Sequence, residues 1–226
     1  MAESLPLFPL QTVLLPGAHL PLHIFEPRYR QLTADLIKGT VPERRFGVIG
    51  LTPSAEVEIE RVEQLQPVGC ASLLREAKSL PDGRFDVVTT GERRFRLLDL
   101  DTSAAPYLVG SVEWLEDEDI SAAAADKVSL LCESARAAHR RYCSVAWQPG
   151  EWKEPETYVP PDELAYVLAA DCLLTFEDRQ KLLEDNRPLH RLRTIGQLLS
   201  REAGIMSTLH AVPAPPPQYR TPFSQN

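Results

Sequence analysis

Val68-Gly69-Cys70-Ala71-Ser72-Leu73-Leu74, then Leu80-Pro81-Asp82-Gly83-Arg84, then Phe85-Asp86-Val87-Val88-Thr89-Thr90 is the stretch that decides the fold of the first half of this chain. Two β-rich runs flank a Pro-Asp-Gly turn, where proline presets φ and glycine accepts φ > 0. The spacing predicts a hairpin. Outward from it the theme repeats, with short apolar or alternating runs at 5–10, 12–15, 20–25, 46–51, 93–100 and 107–115. Pro16-Gly17 closes one run, and Gly91 separates 85–90 from 93–100. Val57 and Ile59 alternate with Glu58 and Glu60, the mark of a half-exposed strand. Leu108, Gly110, Val112 and Trp114 fall on one face. Seven or eight such strands are expected to form a closed or nearly closed barrel, because closure removes exposed edges. One helix interrupts them: Pro27 suits a first helical turn, Tyr29, Leu32 and Leu36 share a face, and Gly39 is a natural stop.

After Glu116-Asp117-Glu118-Asp119 the period changes. Val128, Leu131, Ala135, Ala138, Tyr142 and Val145 recur every three or four residues, an apolar seam on a helix of about 25 residues. A second helix is expected after Pro160-Pro161, with Leu164, Val167 and Leu168 inward. A third opens at Thr175-Phe176-Glu177-Asp178, which approximates a capping box. A fourth covers about 188–203, with Leu192, Ile195 and Leu199 on one side and Gly204 ending it. Residues 212–226 hold five prolines and no acid, so 207–226 is expected to be a disordered Pro-rich tail. The organisation read from these patterns is a β-barrel subdomain over 1–117, a helical bundle over 118–206, and the tail.

At 226 residues and a net charge of −8, the chain is long enough to bury a core and acidic enough to repel phosphate backbones and anionic membranes at long range. No run approaches the roughly 18 apolar residues of a membrane span, and Met1-Ala2-Glu3-Ser4 lacks a basic leader. Cys70, Cys132, Cys143 and Cys172 sit in apolar or helical patterns and read as reduced thiols. These features point to a soluble cytoplasmic protein with no membrane partner.

Enzyme signatures are missing. There is no phosphate-binding G-x-x-x-x-G-K-[ST], no G-x-S-x-G, no H-E-x-x-H, no C-x-x-C and no G-x-G-x-x-G. None of the five lysines sits in a nucleophile context. Cys132, His139 and Cys143, at i, i+7, i+11, share a helical face and suggest a soft metal site or thiol–imidazole pair. However, about 10.5 Å of helix axis separates the first two, too far for one ion. The expected alternative is cysteines packed as small buried hydrophobes. No metal and no cofactor are expected. Arginines cluster at Arg28/Arg30, Arg44/Arg45 and Arg93/Arg94/Arg96, with Phe46 and Phe95 adjacent. They read either as ordinary surface paired with acids or as a nucleic-acid face. Residues 147–161 carry two of the three tryptophans plus Tyr158 in a proline-rich connection. Long connections of this kind are packed by their own side chains or used for binding.

The N-terminal motifs Leu7-Phe8-Pro9-Leu10, Leu15-Pro16-Gly17 and Leu20-Pro21-Leu22-His23-Ile24-Phe25-Glu26-Pro27-Arg28-Tyr29-Arg30 resemble the opening of the Lon protease N-terminal (substrate-binding) domain, filed with the peptidase S16 family. The likeness continues through Phe46-Gly47-Val48-Ile49-Gly50-Leu51, Val68-Gly69-Cys70, the Pro81-Asp82-Gly83 hairpin, Gly91-Glu92-Arg93-Arg94-Phe95-Arg96-Leu97 and Tyr107-Leu108-Val109, over about residues 5–204. It implies an α+β fold: an N-terminal pseudouridine-synthase-and-archaeosine-transglycosylase-like (PUA-like) β-barrel with one inserted helix, then a C-terminal bundle of about four helices. In the family, ATPase and Ser–Lys protease modules do the chemistry, and this sequence offers no positions onto which their residues map. The resemblance therefore implies an ATP-independent, non-catalytic module for unfolded or extended polypeptide or for a protein partner. Trp147, Trp152 and Tyr158 are the expected contact residues, with Phe25 and Phe46 as secondary candidates. A nucleic-acid-binding PUA-like protein is the alternative, an uncharacterised hydrolase the more remote one. Oligomeric state stays open.

Overall fold

The computed structural model describes residues 2–53, 59–148 and 150–209. The chain divides into two compact units, Met1–Glu116 and Asp117–Asn226.

In the first unit six strands form one mixed sheet: β1 (Glu3–Leu10), β2 (His19–Ile24), β3 (Arg45–Gly50), β4 (Val68–Ser79), β5 (Phe85–Asp101) and β6 (Val109–Trp114). The sheet order is β2-β5-β4-β3-β1-β6, and β6 also pairs with β5. The ring β5-β4-β3-β1-β6 therefore closes on itself, and β2 is left as an appendage on the first half of β5, with His19 opposite Thr90 and Ile24 opposite Phe85. Pro21, which cannot donate to a ladder, sits on this strand, where proline is tolerated. β1 runs parallel to β3, Leu7 opposite Gly47, because the connection between them carries β2 and the helix α1 (Pro27–Lys38). α1 starts on Pro27, buries Tyr29, Leu32 and Leu36, and stops at Gly39 with φ 78°.

The Pro-Asp-Gly hairpin forms as read. Leu80 donates to the Arg84 carbonyl (2.8 Å), Gly83 adopts φ 79°, and the Arg84 amide donates to Asp82 Oδ1 (3.1 Å). Three strand expectations change. Gly91 does not separate two strands: β5 is one strand of 17 residues. Around Gly91 the backbone is clasped by the 15–18 turn, with Gly17 donating to the Gly91 carbonyl and Gly91 to that of Ala18 (2.9 Å each). A Cβ at Gly91 would lie 2.4 Å from the Leu15 carbonyl oxygen, so close approach, not chain reversal, explains the glycine. Residues 12–15 are not a strand but a buried connection, Leu15 being fully covered. Ile59 and Glu60 lie outside any strand, and their expected partners Val57 and Glu58 lie outside the described residues. Among the described residues six strands stand where seven or eight were expected, two register shifts between β4 and β5 marking where the long strands bend.

The core of this unit holds Leu7, Ile49, Phe95, Leu97 and Val112. Tyr29, stacked on Phe8, and Tyr107 are also buried, 3% and 8% exposed. Burial pushes both hydroxyls up to about 12, and Tyr107 also donates to Asp35 Oδ2 (3.1 Å). Because the folded value lies above the unfolded value of about 10, their contribution to stability is complete below pH 10 and lost as pH rises toward 12. Alkaline titration should show unfolding of the barrel between pH 10 and 12, and the part of the phenolate absorbance that Tyr29→Phe and Tyr107→Phe remove should appear together with the loss of structure. Appearance of that part at pH 10 in a folded barrel would contradict this.

In the second unit α2 (Ala125–Ala146) packs along α5 (Pro188–Leu209), and α3 (Pro161–Ala170) and α4 (Phe176–Glu184) complete a four-helix arrangement. Ala135, Ala138 and Tyr142 are the buried part of the α2 seam, and Gly196 of α5 lets the two backbones approach, 3.6 Å from its Cβ position to Ala135 Cα. Thr175 caps α4 by accepting from the Asp178 amide (3.1 Å). α5 does not end at Gly204: it continues to Leu209, because Leu199, Ala203 and Met206 extend one buried stripe through the glycine. Residues 207–209, expected in the tail, are helical, and 210–226 lie outside the described residues.

Candidate functional site

The 147–160 connection is a strap laid on α2. Arg136, in the middle of the helix, donates from Nη1 to the Pro155 carbonyl (3.2 Å) and from Nη2 to those of Glu156 (2.7 Å) and Thr157 (3.3 Å). One turn on, Arg140 pairs with Glu154 (2.6 Å). These ties present Tyr158 to solvent at 82% exposure, while Trp147 and Trp152 are half-buried. The Trp152 ring meets His139 edge-on at 6.1 Å. The secondary candidates divide. Phe25, in the first unit, is 43% exposed beside His23. Phe46 is 3% exposed and packs against Phe8, so it is a core residue and offers no contact surface. By strand alternation Phe46 lies on the face of β3 opposite Gly47, whose Cβ position meets Leu5, Leu7 and Phe95, and it is covered there by Phe8, itself stacked on Tyr29 of α1, a cover that its sequence neighbours alone do not reveal.

Missing from the sequence reading is a groove of about 620 Å³ between the first turns of α2 and α5. Ile120, Leu130, Leu131, Pro188 and Leu189 supply apolar lining, alongside Asp119, Lys127 and Arg193. Leu130 is 68% exposed. The available signal was its position: Leu130 is an apolar residue outside the α2 seam. Leu130 also lines a second depression, with Ser134, Ala137 and Arg140, that runs along α2 to the strap. From Leu130 to Arg140 the helix rises about 15 Å, the span of roughly four or five extended residues.

Each arginine cluster has a member paired with an acid. Arg28 pairs with Glu26 (2.8 Å), Arg45 with Glu43 and with Glu92 (2.8 Å), and Arg93 with Glu116 (3.0 Å) while lying 4.4 Å over the Trp114 ring. Phe46 and Phe95 are buried and cannot stack on bases.

Inside the second unit His139 and Cys143 meet Cys172, not Cys132. Ligand atoms of these three lie within 4.8 Å of one another, all buried. His139 Nε2 is 3.4 Å from Cys143 Sγ, and Cys172 Sγ is 3.1 Å from the Leu168 carbonyl, to which it donates. The Cys172 thiol has one proton, and Cys143 is its alternative acceptor: turned toward Cys143, it holds the Cys143 thiol below its ordinary value, whereas that bond and burial push Cys172 up. Burial pushes His139 down, toward the neutral imidazole, against the pull of Asp171 and Glu154. Spacing could not reveal Cys172, which lies on the far side of the strap and α3.

The profile of the ATP-dependent protease La (LON) substrate-binding domain matches residues 4–201. The Lon protease of Anaeromyxobacter dehalogenans is 28% identical over 207 residues, 89% of this chain and 24% of that protein. Lon protease 2 of Myxococcus xanthus is 28% identical over 209 residues, 90% of this chain and 24% of that protein. This chain spans about a quarter of the length of the curated relatives it matches. Among solved structures, a Lon N-terminal domain protein from Xanthomonas campestris aligns with TM-score 0.58 and 25% identity, covering 93% of this chain and 99% of that one. The N-terminal domain of the Mycobacterium avium complex Lon protease shares the fold alone, at TM-score 0.64 and 17% identity, covering 88% and 98%. Profile, relatives and fold agree: the chain belongs to the family of the ATP-dependent protease La (LON) substrate-binding domain.

Proposed function

We propose that this chain is a non-catalytic module that binds unfolded or extended polypeptide along the outer face of α2, from the Leu130 groove to Tyr158. The observation that carries this reading is Leu130, a 68% exposed leucine in a groove with apolar walls and charges of both signs, continued by a depression as far as the strap. Apolar side chains of an extended chain would bury Leu130, and Lys127, Asp119 and Arg193 would discourage unrelated apolar surfaces. Membership in a substrate-binding family supports a polypeptide as the occupant. Pairing of the ligand with a strand edge has less support, since Pro21 blunts β2, the strand outside the closed ring. A nucleic-acid ligand is disfavoured by the net charge of −8 and by the paired arginines. Its working compartment is assigned as the cytoplasm, in keeping with four free cysteines; no helix among the described residues is long and apolar enough to cross a membrane.

The test is fluorescence anisotropy with a labelled, permanently unfolded reporter polypeptide. Burying one leucine is worth about 1.5 kcal/mol or more, so Leu130→Asp should weaken binding about tenfold or more while the circular dichroism stays unchanged. Tyr158→Ala should weaken it by a smaller factor. Unaltered affinity in Leu130→Asp removes the groove as the site; no binding of any unfolded polypeptide by the wild-type chain removes the function.

A further inference from the structure

We infer that His139, Cys143 and Cys172 form a binding site for a thiophilic divalent cation, with zinc as the ion of choice. The inference is independent of polypeptide binding and rests on three features of the second unit.

The geometry suits a single ion. With Zn–S near 2.3 Å and Zn–N near 2.05 Å, a tetrahedral centre separates sulfur from nitrogen by about 3.6 Å. His139 Nε2 and Cys143 Sγ stand 3.4 Å apart, and Cys172 Sγ completes a set within 4.8 Å. One helical turn of α2 supplies two ligands, and the chain just after α3 supplies the third.

The third ligand is held in place. Leu173 donates its amide to the Tyr142 hydroxyl (2.9 Å), and Arg179 Nη2 donates to the Cys172 carbonyl (2.8 Å). Tyr142 is on α2 and Arg179 on α4, so Cys172 is fixed from both sides against the helix bearing the other two ligands. Supporting bonds of this kind orient metal ligands and restrict their motion. The Trp152 edge lies against His139 and gives the strap a part in shielding the imidazole.

The charge balances. Two thiolates and a neutral imidazole carry −2, which Zn²⁺ cancels in a buried place; a monovalent copper ion would leave an uncompensated charge there. Binding converts two thiols to thiolates and releases two protons to solvent. Three protein ligands leave a fourth tetrahedral position for water or an added ligand.

The experiment uses the full chain, reduced and freed of metal with a chelator, titrated with Co²⁺ and then with Zn²⁺. Expected are one equivalent of cobalt bound, thiolate-to-cobalt charge-transfer absorption in the near ultraviolet, and visible bands of tetrahedral intensity, all erased by one equivalent of zinc. Zinc should also raise the Tm. Cys143→Ser and Cys172→Ser should each weaken cobalt binding at least tenfold and lower the charge-transfer absorption, and His139→Cys should restore a thiolate-rich spectrum. Cys132→Ser should change nothing. Absence of the charge-transfer band from folded wild-type protein whose four thiols all react after denaturation would overturn the site, without recourse to any variant. A band that survives in Cys143→Ser and Cys172→Ser but not in Cys132→Ser would overturn the assignment as well.

Discussion

Arg191→Ala is expected to destabilise the helical unit by about 3 kcal/mol or more, lowering its Tm on the order of 10 °C. Arg191 is fully buried, yet its guanidinium makes four hydrogen bonds. It grips both oxygens of Asp117 (2.7 and 2.5 Å) and the carbonyls of Asp185 (2.8 Å) and Asp162 (2.7 Å). It also lies 4.6 Å over the Tyr166 ring. One side chain on α5 thus joins the start of the unit, the first turn of α3 and the α4–α5 connection. Removing it strands the acceptors and leaves a hole as large as an arginine. Asp117 keeps 27% exposure and can rehydrate in part, which places the cost at the lower end for a broken buried pair. Arg191→Lys should recover little, because an ammonium cannot reproduce the bidentate fork. Thermal melting followed by far-ultraviolet circular dichroism measures both variants; a shift below about 3 °C for Arg191→Ala would show that the network is dispensable.

Phe95→Ala should cost the barrel about 3–5 kcal/mol, the range for truncating a buried aromatic. Phe95 is fully covered, and its ring end lies where the strands opposite are glycine: a Cβ at Gly69 would lie 2.4 Å from Phe95 Cζ, and one at Gly47 2.8 Å. Trp114 also meets it, edge-on at 6.4 Å. Glycine and phenylalanine therefore form one packing unit, and Gly69→Ala should also be strongly destabilising. The two changes should couple but not cancel, since the Gly69 Cβ would still sit 2.7 Å from the Val48 carbonyl oxygen, which belongs to the backbone and cannot swing aside. Urea denaturation of the two single variants and the double variant reads the coupling; strict additivity would show that the ring and the glycine do not share the space.

The elements read correctly from sequence are those whose cause is local. The Pro81-Asp82-Gly83 hairpin, the α1 start at Pro27 and its left-handed stop at Gly39, and the Thr175 cap each depend on a few consecutive residues. The misread positions follow from distant partners. Gly91 looks like a break, but a turn some 75 residues earlier folds against it. Gly204 looks like a stop, but Ala203 and Met206 keep the helix buried past it. The aromatic strap was legible as an unusual composition. That Tyr158 faces solvent while Phe46 is covered by Phe8 was not.

By itself the sequence determined the α+β class, the change from a period of two to one near 3.6, the turns and caps, and the family, because φ preferences and side-chain periodicity act over a handful of neighbours. Only the tertiary structure decided which strands close the ring, that Leu130 stands beside Leu189 in a groove, and that Cys172 joins His139 and Cys143 in place of Cys132. Those meetings depend on packing between segments far apart along the chain, and no spacing rule within one helix or strand carries that distance.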